Sequence, residues 1–137
     1  MAKPEQLVVN DILLKLSKLG YLLFVYESKA VFSQRAKTYL NSQVPKGHPD
    51  IAGISPEGFP VYIEIKAKGK LKTLKPVQAN FLRILINRDA FAMCADSCEL
   101  VLECYRQWYL LQVSGNYMEA RQLLLKKLEI VPTSNIT

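Results

Sequence analysis

Two strand-like segments joined by a short turn limit the folds open to this chain more than any other part of its sequence. Residues 50–54 and 61–67 are predicted strands, and the sequence Ser-Pro-Glu-Gly-Phe stands between them. That sequence suits a three-residue hairpin loop, in which a type I turn is followed by Gly58 in the left-handed conformation. A hairpin with this loop pairs Asp50 with Glu64, although a glycine bulge can shift the pairing by one residue.

The rest of the chain alternates between helical and strand-like patterns. A helix is expected over residues 4–19, because Pro4 suits a first helical turn and apolar residues recur at helical spacing up to Leu19. The other predicted elements are strands at 21–26, 30–33, 37–40, 90–95 and 108–113, and helices at 76–87, from the D-x-x-E capping box at Asp96, and at 117–129. This order indicates a single α/β domain over residues 1–137. The last helix either packs on the core or forms a dimer contact.

Positive charge is concentrated in the middle of the chain. Residues 29–88 contain eleven Lys and Arg residues against three acids, whereas the whole chain carries a net charge of +6. A basic segment of this kind is either the footprint of a phosphate-backbone binder or a solvated surface without a partner. For Tyr39 and His48 ordinary packing is the favoured interpretation. The candidate DNA-binding residues are Arg35, Lys37, Lys46, Lys68, Lys70, Lys72 and Lys75.

Several classes of site and location are disfavoured by the composition. Three cysteines without a C-x-x-C pair argue against a disulfide framework or a zinc cage, and a single histidine excludes a His-rich metal site. No apolar run reaches transmembrane length, and the N-terminal residues do not have the layout of a signal peptide. We therefore expect a cytoplasmic protein with free, buried or half-buried thiols and no membrane partner.

The predicted hairpin gathers acidic and basic side chains on one face. Glu64 and Lys66 point the same way because side chains alternate along a strand, and Asp50 lies across from Glu64, with Cβ atoms about 4.5–5.5 Å apart. Two carboxylates so close repel each other unless a cation lies between them, and Mg²⁺ prefers such oxygen ligands. Glu5 in the first helix and Gln78 in the second are expected to extend the group. Each residue alone has an ordinary explanation, but together they favour a catalytic metal site.

These residues carry a family resemblance. The chain resembles the PD-(D/E)xK nuclease signature at Gly47-His48-Pro49-Asp50 and Glu64-Ile65-Lys66. It is similar to the VRR-NUC branch of that superfamily at the early Glu5 and at Lys75-Pro76-Val77-Gln78. The resemblance covers residues 5–106, and a C-terminal extension at 107–137 lies outside it.

The resemblance implies a restriction-endonuclease-like core, which is a mixed β-sheet flanked by helices in αβββαβ order, plus a C-terminal helix. It implies hydrolysis of phosphodiester bonds that depends on Mg²⁺ or Mn²⁺. The implied metal ligands are Asp50, Glu64 and the backbone carbonyl of Ile65. Lys66 is the implied catalytic lysine, and Glu5, which would reach the metal through a water, and Gln78 are accessory catalytic residues.

Stand-alone members of this size are similar to Holliday-junction resolvases encoded by phages and bacteria. The resemblance therefore implies branched DNA as the partner, a homodimer, and a bacterial cytoplasm as the location. Three functions stay open at this point: a structure-selective endodeoxyribonuclease, a nuclease with little structure preference, and a nucleic-acid-binding module that keeps the fold without catalysis.

Overall fold

The chain forms a four-stranded mixed β-sheet and four α-helices in the computed structural model, which describes residues 3–26, 31–33, 38–40 and 45–130. The helices are α1 (Pro4–Lys18), α2 (Pro76–Ile86), α3 (Cys98–Val113) and α4 (Tyr117–Ile130). The strands are β1 (Leu22–Val25), β2 (Val31–Ser33), β3 (Thr38–Leu40), β4 (Ile51–Ile54), β5 (Pro60–Ile65) and β6 (Phe91–Ala95), and a 3₁₀ turn covers Leu71–Thr73.

The sheet combines three antiparallel strands with one parallel strand. Its order is β1-β4-β5-β6, in which β4 runs antiparallel to β1 and β5, whereas β6 runs parallel to β5. A parallel neighbour needs a crossover connection, and α2 provides it between β5 and β6. Strands β2 and β3 form a separate antiparallel pair, inserted between β1 and β4 in the chain. With that pair set aside, the elements up to β6 follow the predicted αβββαβ order, and the α/β class with a mixed sheet is confirmed.

The predicted register of the β4–β5 hairpin is also confirmed. Ile51 pairs with Ile63, so the next step of the register sets Asp50 opposite Glu64. The N–H of Gly58 donates to the carbonyl of Ser55 at 2.9 Å, which closes the predicted turn. Gly58 has a φ of +90°, a conformation that favours glycine. The loop therefore turns without shifting the pairing.

Both helices that open with proline begin where the sequence predicts. Pro4 is the first residue of α1 and Pro76 is the first residue of α2. The apolar stripe of α1 is buried as far as Leu16. Leu19 is exposed, because the helix ends at Lys18 and Leu19 is its C-cap residue. The prediction that the stripe includes Leu19 is therefore wrong.

Helices pack against the sheet at β6. The ring of Phe91 contacts the ring of Trp108, so α3 lies on the face of β6 to which Phe91 points. Cys94 borders Leu124 of α4, which also packs against α2 and α3. Met93, which points to the same face as Phe91, borders Leu124 as well, so α4 packs along the β6 edge of the sheet. Cys94 shares a face with its strand partner Glu64. Packing of α4 on the core, one of its two predicted roles, is confirmed.

The predicted strand at 108–113 is wrong, because α3 continues as a helix to Val113. Trp108 is buried and extends the helical stripe formed by Val101 and Cys104. An aromatic and apolar run resembles a strand locally, but its spacing from the preceding buried residues is helical. The long helix then leads through a short turn into α4, which matches the helix predicted at 117–129.

The predicted capping box at Asp96 is wrong by one residue. Ser97 is the N-cap of α3, and its Oγ accepts a hydrogen bond of 3.2 Å from Leu100 N–H. Asp96 Oδ2 accepts instead from Gly69 N–H at 2.9 Å. The carboxylate that the local motif predicts as a helix cap therefore binds Gly69, a residue distant in sequence.

The predicted state of the cysteines is confirmed. Cys94, Cys98 and Cys104 are free and buried. Burial raises the pKa of Cys94 to about 12 and that of Cys104 to about 11, so both thiols stay protonated near neutral pH. No helix among the described residues has the length and apolar character needed to cross a bilayer.

Candidate active site

Asp50 and Glu64 meet at the open end of the β4–β5 hairpin, opposite its turn. Asp50 directly precedes β4, Glu64 lies in β5, and their carboxyl groups approach within hydrogen-bonding reach. Asp50 Oδ2 also accepts a hydrogen bond of 2.8 Å from Ile65 N–H, which holds its side chain toward β5. Gly47 lets the preceding loop pack on α2, since a Cβ there would lie 2.8 Å from the Val77 carbonyl oxygen. The loop and the register together bring the two acids side by side.

Glu64 is a buried acid with an unsatisfied oxygen. Its residue is 2 % exposed, and within the described part of the chain Oε2 meets no hydrogen-bond partner. Burial, followed by the hydrogen bond and the charge of Asp50, raises the pKa of Glu64 to about 9, while Lys66 opposes this shift. Ionised, Glu64 would leave a buried acceptor unpaired beside a second carboxyl group. A proton or a bound cation relieves that cost.

Gln78 links Lys66 to Glu64. Its Oε1 accepts hydrogen bonds from Lys66 Nζ at 3.1 Å and from the backbone N–H of Lys75 at 3.0 Å. Its Nε2 donates to Glu64 Oε1 at 3.3 Å. A backbone N–H can only donate, so the Lys75 bond fixes which end of the amide faces which partner. Lys66 is itself buried, so the first turn of α2 holds its amine beside the acids.

Glu5 reaches the same site from the first turn of α1. It is exposed, and its negative charge is one of the causes that raise the pKa of Glu64. Glu5 and Asp50 line a shared pocket of about 300 Å³. The structure therefore brings Glu5, Asp50, Glu64, Lys66 and Gln78 together, as the sequence predicts. Ile65 adjoins them through its N–H, and the role of its carbonyl stays a prediction.

The donor set fits a partly hydrated divalent ion better than an enclosed one. Among the residues that the structure describes, no three acidic, histidine or cysteine side chains cluster as a ready-made metal cage. Two carboxyl groups, one with an unsatisfied oxygen, are present instead. Mg²⁺ is commonly held through one or two carboxylates and keeps several waters, whereas Ca²⁺ needs more protein oxygens. The residues present therefore fit Mg²⁺ or the similar Mn²⁺.

Exposed lysines follow the site along the chain. Lys68 and Lys70 lie in the loop after β5, Lys72 lies in the 3₁₀ turn, and Lys75 caps α2. All four are exposed, as is Lys46 in the loop before Asp50. Asp96 fixes this lysine loop through its bond to Gly69 N–H. The predicted contacts Arg35 and Lys37 lie outside the described residues.

His48 is packed in an aromatic cluster next to the acids. Its ring centroid lies 4.5 Å from that of Tyr26, 5.4 Å from Phe81 and 6.2 Å from Tyr62. Its Nδ1 lies 2.7 Å from the carbonyl oxygen of Pro49. The favoured interpretation of His48 as a packed residue is therefore confirmed. The side chain of Tyr39 lies outside the described residues.

Tyr26 is a site residue that the sequence did not single out. Its N–H donates to the Asp50 carbonyl at 2.9 Å, and its side chain lines the pocket that Glu5 and Asp50 share. The predicted strand over 21–26 contains Tyr26, but its place beside Asp50 depends on the pairing of β1 with β4, which no local pattern reveals. Only the β1–β4 register could have found it.

Comparisons with known proteins give no relative. A scan against models of protein families matches no family. No curated protein matches the chain. No solved structure matches it either. The functional assignment therefore rests on the residues of this chain and their geometry.

Proposed function

We propose that this protein is a DNA endonuclease that hydrolyses phosphodiester bonds with Mg²⁺ or Mn²⁺. The observation that carries the proposal is the buried residue Glu64, which lies against Asp50 and whose Oε2 has no hydrogen-bond partner among the described residues. Lys66, a buried amine tied to the same pair, completes a set that suits attack on a phosphate. A merely structural ion pair would satisfy its oxygens.

Asp50 and Glu64 would hold the ion, with the Ile65 carbonyl as a third ligand and Glu5 through a water. Such an ion lowers the pKa of bound water and stabilises negative charge on phosphate. Gln78 keeps Glu64 Oε1 engaged, which leaves Oε2 as the oxygen free to coordinate. Asp50 is oriented by the N–H of Ile65, so both carboxyl groups are positioned before any ligand arrives.

Lys66 has the role of an oriented donor next to the reacting phosphate. Its Nζ uses one of its hydrogens for Gln78 Oε1, which leaves two for a water or a phosphate oxygen. As an ammonium it would offset charge that develops on the phosphate during attack. Gln78 is a positioning residue in this scheme, because it acts through Lys66 and Glu64.

The substrate side of the proposal is nucleic acid bound through its backbone. The exposed lysines at 46, 68, 70, 72 and 75 lie in the chain segments directly before Asp50 and after Lys66. Such side chains neutralise phosphates and position a strand without reading bases. The αβββαβ order of the main sheet supports a restriction-endonuclease-like core, and with the motif residues it supports membership of the VRR-NUC branch. Branched DNA and a homodimer are part of the same proposal.

Purified protein incubated with labelled four-way junction, flap, duplex and single-stranded DNA tests this function. We expect cleavage with Mg²⁺ or Mn²⁺, none with EDTA, and strongly reduced cleavage with Glu64→Gln or Lys66→Ala. The exposed residues Glu103 and Lys126 offer matched controls, and Glu103→Gln and Lys126→Ala should cut normally. Symmetric cuts on the junction would support the branched-DNA substrate. Binding without cleavage under every metal would contradict the enzyme and favour a binding module.

A further inference from the structure

A pocket opens beside Asp50, between the first turns of α1 and the end of β1. It has a volume of about 300 Å³ and is lined by Lys3, Glu5, Gln6, Val9, Val25, Tyr26 and Asp50. Its lining includes one tyrosine, one lysine and two acids, one of which is Asp50. The pocket is therefore continuous with the candidate metal site.

Tyr26, Asp50 and Glu64 form one row across three neighbouring strands. The Tyr26 N–H bond to the Asp50 carbonyl extends the β1–β4 ladder by one pair beyond Val25. The β4–β5 register sets Asp50 opposite Glu64 in the same way. Paired residues of antiparallel strands share a face and have Cβ atoms about 4.5–5.5 Å apart. The Tyr26 ring thus stands one strand away from Asp50 and two from Glu64.

The Tyr26 ring packs on one neighbour and keeps part of its surface exposed. That neighbour is His48, whose own ring contacts Phe81 and Tyr62, so the four rings form one cluster. Even so, Tyr26 is 41 % exposed. This exposed surface belongs to a residue that lines the pocket shared by Glu5 and Asp50. A flat ligand that stacks on it would remove that exposure.

We propose that this pocket receives one unpaired nucleobase of the substrate, stacked on Tyr26, with Lys3 against an adjacent backbone phosphate. The inference rests on the proposed function and names what that site selects. A base inside a duplex is stacked on its neighbours and cannot enter a pocket of this kind, whereas an unpaired base can. Tyr26 is therefore a specificity-determining residue that favours cleavage next to an unpaired nucleotide.

Two measurements test the pocket with the full-length chain. In the first, a single-stranded oligonucleotide that contains 2-aminopurine is titrated with protein in EDTA, and its fluorescence reports stacking. In the second, kcat and KM are compared on two duplexes of one sequence, with and without an unpaired nucleotide beside the cut. The variants are Tyr26→Ala, Tyr26→Phe and the control Tyr117→Ala, an exposed tyrosine at the start of α4.

We expect wild type, Tyr26→Phe and Tyr117→Ala to quench 2-aminopurine and to prefer the duplex with the unpaired nucleotide. Tyr26→Ala should lose the quenching and raise KM for that substrate by about fivefold to a hundredfold, since one stacked base contributes about 1–3 kcal/mol. Its kcat should change little, because the acids and Lys66 are intact. Phenylalanine keeps the ring and should therefore keep the preference.

Three outcomes would overturn the pocket proposal. They are an unchanged preference in Tyr26→Ala, equal losses in Tyr26→Ala and Tyr26→Phe, or no preference in the wild type. If the wild type cleaves both duplexes and any of these occurs, the proposed function stands and the base pocket does not. If the wild type cleaves nothing, the nuclease proposal fails, and the fluorescence measurement alone decides whether the pocket binds a base.

Discussion

The two ends of the β4–β5 hairpin carry similar residues in opposite states. At the turn, the Glu57 carboxylate accepts a hydrogen bond from Tyr105 OH, and Ser55 Oγ accepts from Phe59 N–H at 3.1 Å. At the open end, Asp50 and Glu64 crowd each other, and Glu64 Oε2 meets no donor within the described part of the chain. The Glu57 residue is exposed, whereas Glu64 is buried.

The difference shows that the acid at the turn stabilises the fold, whereas the two acids at the open end destabilise it. An unpaired buried acceptor destabilises a protein by about 1–3 kcal/mol, and more when it is charged. The turn end is explained by the stability it adds. The open end is not explained in this way, which agrees with the proposed role of its residues in metal binding. Perturbed, crowded acids of this kind are typical of functional sites.

The largest expected effect is on the cleavage rate, and it is measured by replacing Glu64 and Glu57 separately with glutamine. Glu64→Gln removes a proposed metal ligand and should lower the cleavage rate by about a hundredfold or more. Glu57→Gln should leave the rate within error, because Glu57 lies at the turn, where it accepts a hydrogen bond from Tyr105. Initial rates with Mg²⁺ on a labelled junction measure both. Equal losses in the two variants would erase the contrast between the ends.

The pH dependence of stability should differ between the ends in the metal-free protein. Because the folded state raises the pKa of Glu64 from 4.5 to about 9, its contribution to stability is complete below 4.5 and is lost as pH rises toward 9. The folded protein keeps the proton of Glu64 to a higher pH than the unfolded chain does, so the free energy of unfolding falls as pH rises. Urea unfolding in EDTA from pH 5 to 9 should therefore show wild type losing stability relative to Glu64→Gln.

Added Mg²⁺ should reverse that loss in the wild type, since a bound cation stabilises the ionised acids. It should leave the Tm of Glu64→Gln nearly unchanged, while Glu57→Gln should respond like wild type. If Mg²⁺ does not change the Tm of the wild type at pH 8, Asp50 and Glu64 do not bind the metal.

The lysines that follow Lys66 in the chain should govern affinity without governing chemistry. The double variant Lys70→Ala/Lys72→Ala should bind junction DNA more weakly and lower the slope of log Kd against log salt by about 2, one unit for each phosphate contact. The matched double variant Lys18→Ala/Lys126→Ala removes two exposed charges from the far end of α1 and from α4. If both double variants have the same slope, binding is diffuse and the lysine loop has no special part in it.

The local signals of the sequence were sufficient for the hairpin and the helix starts. A loop of fixed length with glycine at one position sets the register, so the meeting of Asp50 and Glu64 followed from counting. Pro4 and Pro76 marked the first residues of two helices because proline suits only that position well. Gln78 followed from its place in the first turn of α2.

Features that depend on distant partners could not be predicted in this way. Asp96 stands where the sequence predicts the N-cap of α3, but its carboxylate accepts a hydrogen bond from Gly69 N–H, 27 residues away. Ser97 is the N-cap instead. Tyr26 enters the site only through the pairing of β1 with β4. The wrong strand at 108–113 has a different cause. The spacing of Trp108 from Val101 and Cys104 indicates a helix, but the aromatic and apolar run was interpreted as a strand.

The smallest effect is expected at the turn end, from Tyr105→Phe. The change deletes the hydroxyl that donates to Glu57 and keeps the ring, which packs against Tyr21 and Phe91. A single hydrogen bond of this kind contributes about 1 kcal/mol, so the urea midpoint should fall slightly and the m-value should stay constant. Cleavage should not change, because the bond lies at the opposite end of the hairpin from Glu64. A loss of cleavage without a loss of stability would mean that the two ends communicate through β4 and β5, and the division between them would then be one of degree.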